Sequence, residues 1–275
     1  MMDSHVCLVT GASDGIGKHT AMRLAQTGAT VLMHGRNPKK LSNALSEIAR
    51  KTGNSSLEGY TADLSSLSQV RALSEEIHSK HRRLDVLVNN AGVFMIDRID
   101  SEDGYEMTFA VNVLAPFLLT SLLMDLLQTS ESSRIIHVSS ALHREYQPVK
   151  GFEPTTNWTH SDGRRAYVLS KVHEVMFTYK MADLLQDQGN ISVNCLHPGR
   201  VNTKLLGQAW KGKMSGIPVE EADFVFRAAT DPRLDGVTGR YFEDDIDTRS
   251  SDITYNKDEQ NRLWDILVNL TGAVF

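Results

Sequence analysis

At 275 residues, with 41% apolar and 23% charged side chains, the chain has an ordinary globular composition and room for one large domain or two small ones. A formal net charge of −5 excludes a broad basic face for nucleic acid, but not a small basic pocket for a phosphate. The two cysteines, Cys7 and Cys195, lie in apolar runs and read as reduced core thiols; no Cys/His cluster has ligand spacing, so no metal is expected.

A first strand is predicted at 6–10, with no basic-then-apolar signal segment ahead of it. Directly after it comes Thr10-Gly11-Ala12-Ser13-Asp14-Gly15-Ile16-Gly17, and then a helix over 17–26. Glycines here let the backbone turn tightly and let a diphosphate approach the helix N-terminus, where free N–H groups and the dipole favour anions. Gly11, Ser13, Asp14, Gly15, Ile16 and Gly17 are therefore candidate cofactor contacts. A second strand, 30–34, ends in His34-Gly35-Arg36-Asn37. Gly35 stands where a carboxylate would bind the adenosine ribose and repel a 2′-phosphate, and the planar fork of Arg36 suits a phosphate. NADP(H) is expected rather than NAD(H), with Arg36 and Asn37 at its adenosine end.

A helix over 39–50 leads to a third strand, 57–61, closed by Asp63-Leu64. A helix over 68–80 leads to a fourth, 86–89, closed by Asn90-Ala91-Gly92. Each closure alone is turn chemistry. Repeated at consecutive strand ends, they mark one sheet edge along which a dinucleotide lies. The most apolar stretch, 111–127, is interrupted by Asn112, Pro116 and Asp125. It is too short and broken to span a membrane, and reads as a core helix or as the contact of a homodimer. Asn112, a mediocre helix-interior residue, has an amide that is a candidate to hold a proton-relay water.

The fifth strand, 134–139, ends in Ser139-Ser140, which offers a hydroxyl to polarise a carbonyl oxygen. A helix running to about 185 carries Tyr167 and Lys171 four residues apart, hence on one face. An ammonium beside a phenol favours the phenolate, so Tyr167 is expected to titrate below its usual value and to serve as general acid or base. A sixth strand, 192–197, runs into His197-Pro198-Gly199-Arg200-Val201-Asn202-Thr203, whose bent backbone and Thr203 suit the nicotinamide amide and the diphosphate. A seventh strand, 240–243, precedes a solvated acidic turn at Glu243-Asp244-Asp245. Polar, irregular stretches at 141–165 and 202–219 read as walls of a substrate pocket, and both follow strand ends. The ten histidines are scattered: His143 and His160 are expected at the surface, His197 in a structural role. Met176 and Phe177 read as core.

Alternation of strands and helices predicts an α/β fold: a single doubly wound Rossmann-type domain over 1–275, with a mainly parallel seven-stranded sheet and helices on both faces. The ordered set TGASDGIG, NNAG, Asn112, Ser140, YVLSK and HPGRVNT resembles the short-chain dehydrogenase/reductase family, in its single-domain branch, over essentially the whole chain. HGRN, YVLSKVHEVMF, LHPGRVNTKL and TGRYF followed by Leu263-Trp264 resemble its retinol-dehydrogenase-like subgroup.

The resemblance implies that Asn112, Ser140, Tyr167 and Lys171 form a catalytic tetrad. Tyr167 would be the acid/base, and Lys171 would lower its pKa and bind the nicotinamide ribose. Ser140, which aligns better than Ser139, would hold the substrate oxygen, and Asn112 the relay water. Arg36 matches the 2′-phosphate site, Asp63 and Leu64 the adenine end, Asn90 the adenosine-side ribose; Ala91, Gly92, Pro198, Gly199, Val201 and Thr203 complete the cofactor set. The implied activity is NADP(H)-dependent hydride transfer with a small, apolar carbonyl or alcohol, as a carbonyl reductase or alcohol dehydrogenase in the cytoplasm. Two departures from the family pattern are a longer Ser140–Tyr167 segment, carrying Tyr146, Phe152 and Trp158, and no N-terminal membrane segment. The rival readings are a non-catalytic NADP(H)-binding sensor or scaffold, and a sugar-nucleotide epimerase, for which about seventy residues after Thr203 leave little room.

Overall fold

The computed structural model describes residues 2, 4–147, 163–209 and 212–275. Strands β1 (Val6–Val9), β2 (Thr30–His34), β3 (Leu57–Tyr60), β4 (Val86–Asn89), β5 (Ser133–Val138), β6 (Ile191–His197) and β7 (Tyr241–Glu243) all run parallel, in the order β3-β2-β1-β4-β5-β6-β7. The chain winds one way from β1 through β3, then returns to β4 on the other side. That reversal opens a crevice at the carboxyl ends of β1 and β4.

An eighth strand, β8 (Ile246–Asp247), pairs antiparallel with β7, where seven strands were expected. It is two exposed residues long, so no apolar alternation announces it. Asp244 and Asp245 both hold positive φ, 52° and 63°, as a tight two-residue hairpin turn requires.

Helices α1 (Gly15–Gln26), α2 (Pro38–Thr52) and α9 (Phe224–Thr230) cover one face, burying Leu24, Ile48 and Val225. The other face carries α3 (Leu67–Lys80), α5 (Ala115–Leu122), α7 (Gly163–Leu185) and α10 (Lys257–Thr271). At its centre Phe117 meets Phe177 and Trp264 edge-on, with centroids 5.9 and 4.9 Å apart. Burying one such side chain contributes about 1.5–3 kcal/mol. Every residue of α7 from Tyr167 to Tyr179 is buried. The polar side chains in that run must therefore find partners inside the protein.

The apolar stretch expected as one long helix is broken. It passes from the single turn α4 (Met107–Phe109) through a π-turn (Ala110–Leu114) into α5, and Leu123 separates α5 from α6 (Met124–Gln128). The reason lies at Pro116, which has no N–H for the carbonyl of Asn112 four residues earlier. A wider turn answers it, in which Ala115 N donates to Ala110 O. Val113–Leu119 are buried within the chain itself, so this stretch offers no open apolar face to a second copy. Among the described residues, no helix is long and apolar enough to cross a membrane. Cys7 and Cys195 are free and buried, and burial pushes both thiols up.

Candidate active site

The first strand end builds a cradle. Gly11 and Gly15 hold φ of 67° and 54°, a region that disfavours any side chain. A Cβ on Gly17 would stand 2.4 Å from the Asn90 amide nitrogen and 2.5 Å from the Gly11 carbonyl oxygen. We expect Gly17→Ala to cost about 1–3 kcal/mol by overpacking against backbone, read as a lower denaturation midpoint. Asp14 caps α1, its carboxylate accepting from Gly15 N at 2.9 Å. The same carboxylate pairs with Lys204, at the start of α8 (Lys204–Ala209), so the loop after β6 is tied across the mouth of the cradle. The hydrogen bond from Lys204 holds the Asp14 carboxyl below the usual range.

Behind the cradle, Thr10 Oγ1 accepts from the backbone N–H groups of Asn90 and Ala91, both at 3.0 Å, and Asn90 Nδ2 donates to Thr10 O at 2.8 Å. The Asn90 side chain thus ties β4 to the glycine loop from behind. His34 does the same from β2: its Nδ1 accepts from Gly11 N at 3.3 Å and its Nε2 faces Ala62 O at 3.0 Å, which sets the tautomer. At the adenosine end, a Cβ on Gly35 would lie 3.2 Å from Ser13 Cβ, leaving little space for the acid whose absence the sequence noted. Arg36 is 69% exposed and stands 3.8 Å from Asp63, its fork mostly uncommitted.

At the other end, Tyr167 and Lys171 share a face of α7, with the Lys171 ammonium 5.3 Å from the Tyr167 ring centroid. Phe94 packs on the same ring at 5.2 Å. The Ser140 hydroxyl lies by the Tyr167 phenol and acts to lower its titration, whereas Ser139 Oγ donates to the Lys171 carbonyl at 3.1 Å. Of the two serines, only Ser140 therefore faces the phenol. His143, expected at the surface, is fully buried: its Nδ1 meets the Ser140 carbonyl at 2.7 Å and its ring lies 4.7 Å from Tyr241. Burial holds His143 down to about 4, so its ring is neutral and Nδ1–H donates to Ser140.

Contrary to the expectation from Lys171 alone, Tyr167 lies above its ordinary value. Burial pushes it up, and the pull of the Lys171 ammonium is countered by the carboxylate of Glu174. Lys171 Nζ donates to Glu174 Oε1 and Oε2 at 2.8 and 2.9 Å and to Val138 O at 3.0 Å. Burial pulls this ammonium down, but Glu174 and Tyr167 more than offset that and keep it charged.

These groups line one cavity of about 720 Å³ that runs from Arg36 and Asp63 past Gly11–Gly17 to Ser140, Tyr167 and Lys171, within the roughly 300–1,000 Å³ of small-molecule sites. Leu64, Ala91, Gly92, Pro198, Gly199, Val201 and Thr203 also line it, as expected. Two expected residues do not. Asn37 caps α2, its Oδ1 accepting from Lys40 N at 2.9 Å. Asn112 lies behind the wall, with Oδ1 accepting from Val93 N at 2.8 Å and Nδ2 donating to Val93 O and Ser170 Oγ at 3.0 and 3.1 Å. Both amide hydrogens are committed there, so its side chain is not the free water holder that was anticipated. Leu142, Leu205, Leu206 and Met214, from the two predicted wall segments, do line the cavity. Phe152, Trp158 and His160 lie outside the described residues.

The family pattern described as short chain dehydrogenase matches residues 5–213. The chain belongs to the short-chain dehydrogenase family. Within it, the chain falls in the retinol-dehydrogenase-like subgroup: it is similar to human polyprenol dehydrogenase (34% identical, covering 98% of this chain and 86% of that protein). It is equally similar to human retinol dehydrogenase 14 (34%, covering 100% and 88%). In structure it is similar to a Mycobacterium paratuberculosis protein (TM-score 0.79, 25% identical, covering 99% and 95%). An Escherichia coli CFT073 short-chain dehydrogenase solved with NADPH is also similar (TM-score 0.71, 28% identical, covering 87% and 96%). The chain is thus an oxidoreductase of a family whose fold binds nicotinamide cofactors.

Sequence reasoning missed three residues of this short-chain dehydrogenase site: His34 and His143, which brace the glycine loop and Ser140, and Glu174. For Glu174 a signal existed, a carboxylate three residues from Lys171 on a helix with hardly any polar face.

Proposed function

We propose that the chain is an NADP(H)-dependent reductase that acts on the carbonyl of a small apolar substrate, within one domain spanning 1–275. Support comes chiefly from one observation: a single cavity is lined by a glycine cradle at one end and by Ser140, Tyr167 and Lys171 at the other. The residues fit the cofactor. The α1 N-terminus and the glycines suit a diphosphate, Arg36 a 2′-phosphate, Asp63 and Leu64 an adenine, Ala91 and Gly92 a close approach to the sheet edge, and Pro198–Thr203 a carboxamide.

When bound, the nicotinamide supplies a hydride to the carbonyl carbon. Ser140 Oγ donates a hydrogen bond to the carbonyl oxygen, and the Tyr167 hydroxyl gives that oxygen its proton. Because Tyr167 sits above its ordinary value, it holds this proton through the neutral range and can donate it in the reductive direction. Lys171 steadies the phenolate left behind. With its amide committed, Asn112 retains its backbone carbonyl, deprived of an α-helical donor by Pro116, to hold the water that returns the proton. Leu142, Leu205, Leu206 and Met214 favour an apolar substrate, in keeping with two relatives named for retinol and polyprenol.

NADPH oxidation against a panel of apolar aldehydes, ketones and quinones tests the reading. Turnover of at least one is expected; tight NADPH binding with no turnover of any would favour a sensor instead. Arg36→Ala should lower the NADPH-over-NADH preference about tenfold or more, the scale of a charged hydrogen bond. An unchanged preference would remove Arg36 from the phosphate site.

A further inference from the structure

Glu174 is a carboxylate inside the protein. It lies in the fully buried run of α7 and is only 4% exposed. Burying a charge is costly unless it is paired and hydrogen-bonded, and its partner is the ammonium the proposed reaction uses. An ammonium has three N–H groups. Two Glu174 oxygens and the Val138 carbonyl, at 2.8, 2.9 and 3.0 Å, take all of them.

We propose that Glu174 is a positioning residue for this reaction: its carboxylate fixes the Lys171 ammonium and withholds part of that charge from Tyr167. The inference rests on the reading of Tyr167 as the acid/base. An ammonium with a carboxylate bound to it stabilises a nearby phenolate less than a free one. Glu174 thereby makes Tyr167 a weaker acid than Lys171 alone would make it.

The groups facing the pair leave it in control. Along α7, His173 is held down to about 3 by burial, and Thr178 carries no charge. From β5, His137 is held down to about 3 by burial and by Lys171, and Ser139, just beyond the strand end, carries no charge and donates to the Lys171 carbonyl. From β6, burial keeps Cys195 a neutral thiol. Near neutral pH, His137, His173 and Cys195 are all neutral, so the charges acting on Tyr167 from this group are those of Glu174 and Lys171. Burial pushes Glu174 itself up to about 7, against the hold of Lys171.

The experiment is a pH titration of the Tyr167 phenolate by ultraviolet difference absorbance in the cofactor-free protein, with Tyr167→Phe as background. Wild type, Glu174→Gln, Glu174→Asn and Glu174→Asp are compared. Removing the negative charge should strengthen Tyr167 as an acid on the order of tenfold, moving its midpoint down about one unit. Gln and Asn should both show this, while Asp, which keeps the charge, stays near wild type. The pH profile of NADPH-dependent turnover should move in the same direction.

Coincident midpoints for wild type and a folded neutral variant overturn the proposal, as does a shift in Asp equal to that in Gln. Failure of both neutral variants to fold while Asp folds would make Glu174 purely structural, and would overturn it too. Absence of any wild-type turnover would instead strike the proposed function, leaving the phenolate comparison to decide this inference.

Discussion

Tyr167→Phe is expected to bind NADPH as wild type does and to lose at least about 100-fold in turnover, the scale of general acid–base catalysis. The substitution keeps the ring, and with it the packing against Phe94 at 5.2 Å and the Lys171 ammonium at 5.3 Å from the centroid. Lys171 retains Glu174 and Val138, so the site should not collapse. What disappears is the hydroxyl, and with it the proton donor beside Ser140. Steady-state kinetics alongside fluorescence titration of NADPH separates the two effects. Turnover close to wild type would remove Tyr167 from the mechanism.

The second large effect is on stability. His137, His143 and His173 are buried, and burial holds them down to about 3, 4 and 3. In the unfolded chain each takes up a proton near its ordinary 6.5. As pH falls below that value, the unfolded state binds protons that the folded state refuses. The stability these neutral rings contribute is full above 6.5 and is lost progressively toward the folded values. Each unit of pH in that window costs about 1.4 kcal/mol per histidine. Three such groups should give an acid-side slope of roughly 4 kcal/mol per unit. Urea denaturation at stepped pH reads it directly; a midpoint that stays flat from 6.5 down toward 4 would contradict the buried, neutral placement.

Strand ends were the legible part of this molecule. Glycines, small residues and hydroxyls after β1, β4, β5 and β6 are local signals, because a cofactor's approach is controlled by the absence of side chains at fixed points of a turn. TGASDGIG, NNAG, Ser140 and HPGRVNT therefore pointed to the lining that the fold assembles. Patterns that rest on a single neighbour were also legible: Tyr167 and Lys171 share a face because a helix turn dictates it.

What escaped was decided by contacts distant in sequence. His143 is polar and lies in a variable stretch, yet it ends beneath Ser140 because Tyr241 and the neighbouring turn close over it. Asn112 looked free until its amide was taken up by Val93 and Ser170, from two other segments. The titration of Tyr167 was misjudged because a local rule weighs one ammonium, whereas burial and Glu174 are tertiary facts. The π-turn was the avoidable miss, since Pro116 stands four residues after Asn112 in plain view. The turn before strand β8 was legible but the strand was not, being short, exposed and reached by an Asp-Asp turn rather than Asn-Gly.

In the proposed reaction a hydride passes directly from a nicotinamide held in this cavity to a carbonyl carbon beside Tyr167. NADPH carrying deuterium at its transferable position, incubated with the protein and an accepted aldehyde or ketone, tests this by mass spectrometry of the alcohol formed. Deuterium is expected on the carbinol carbon, one atom per NADPH oxidised. Alcohol formed without the label, or NADPH consumed with no alcohol formed, would contradict it.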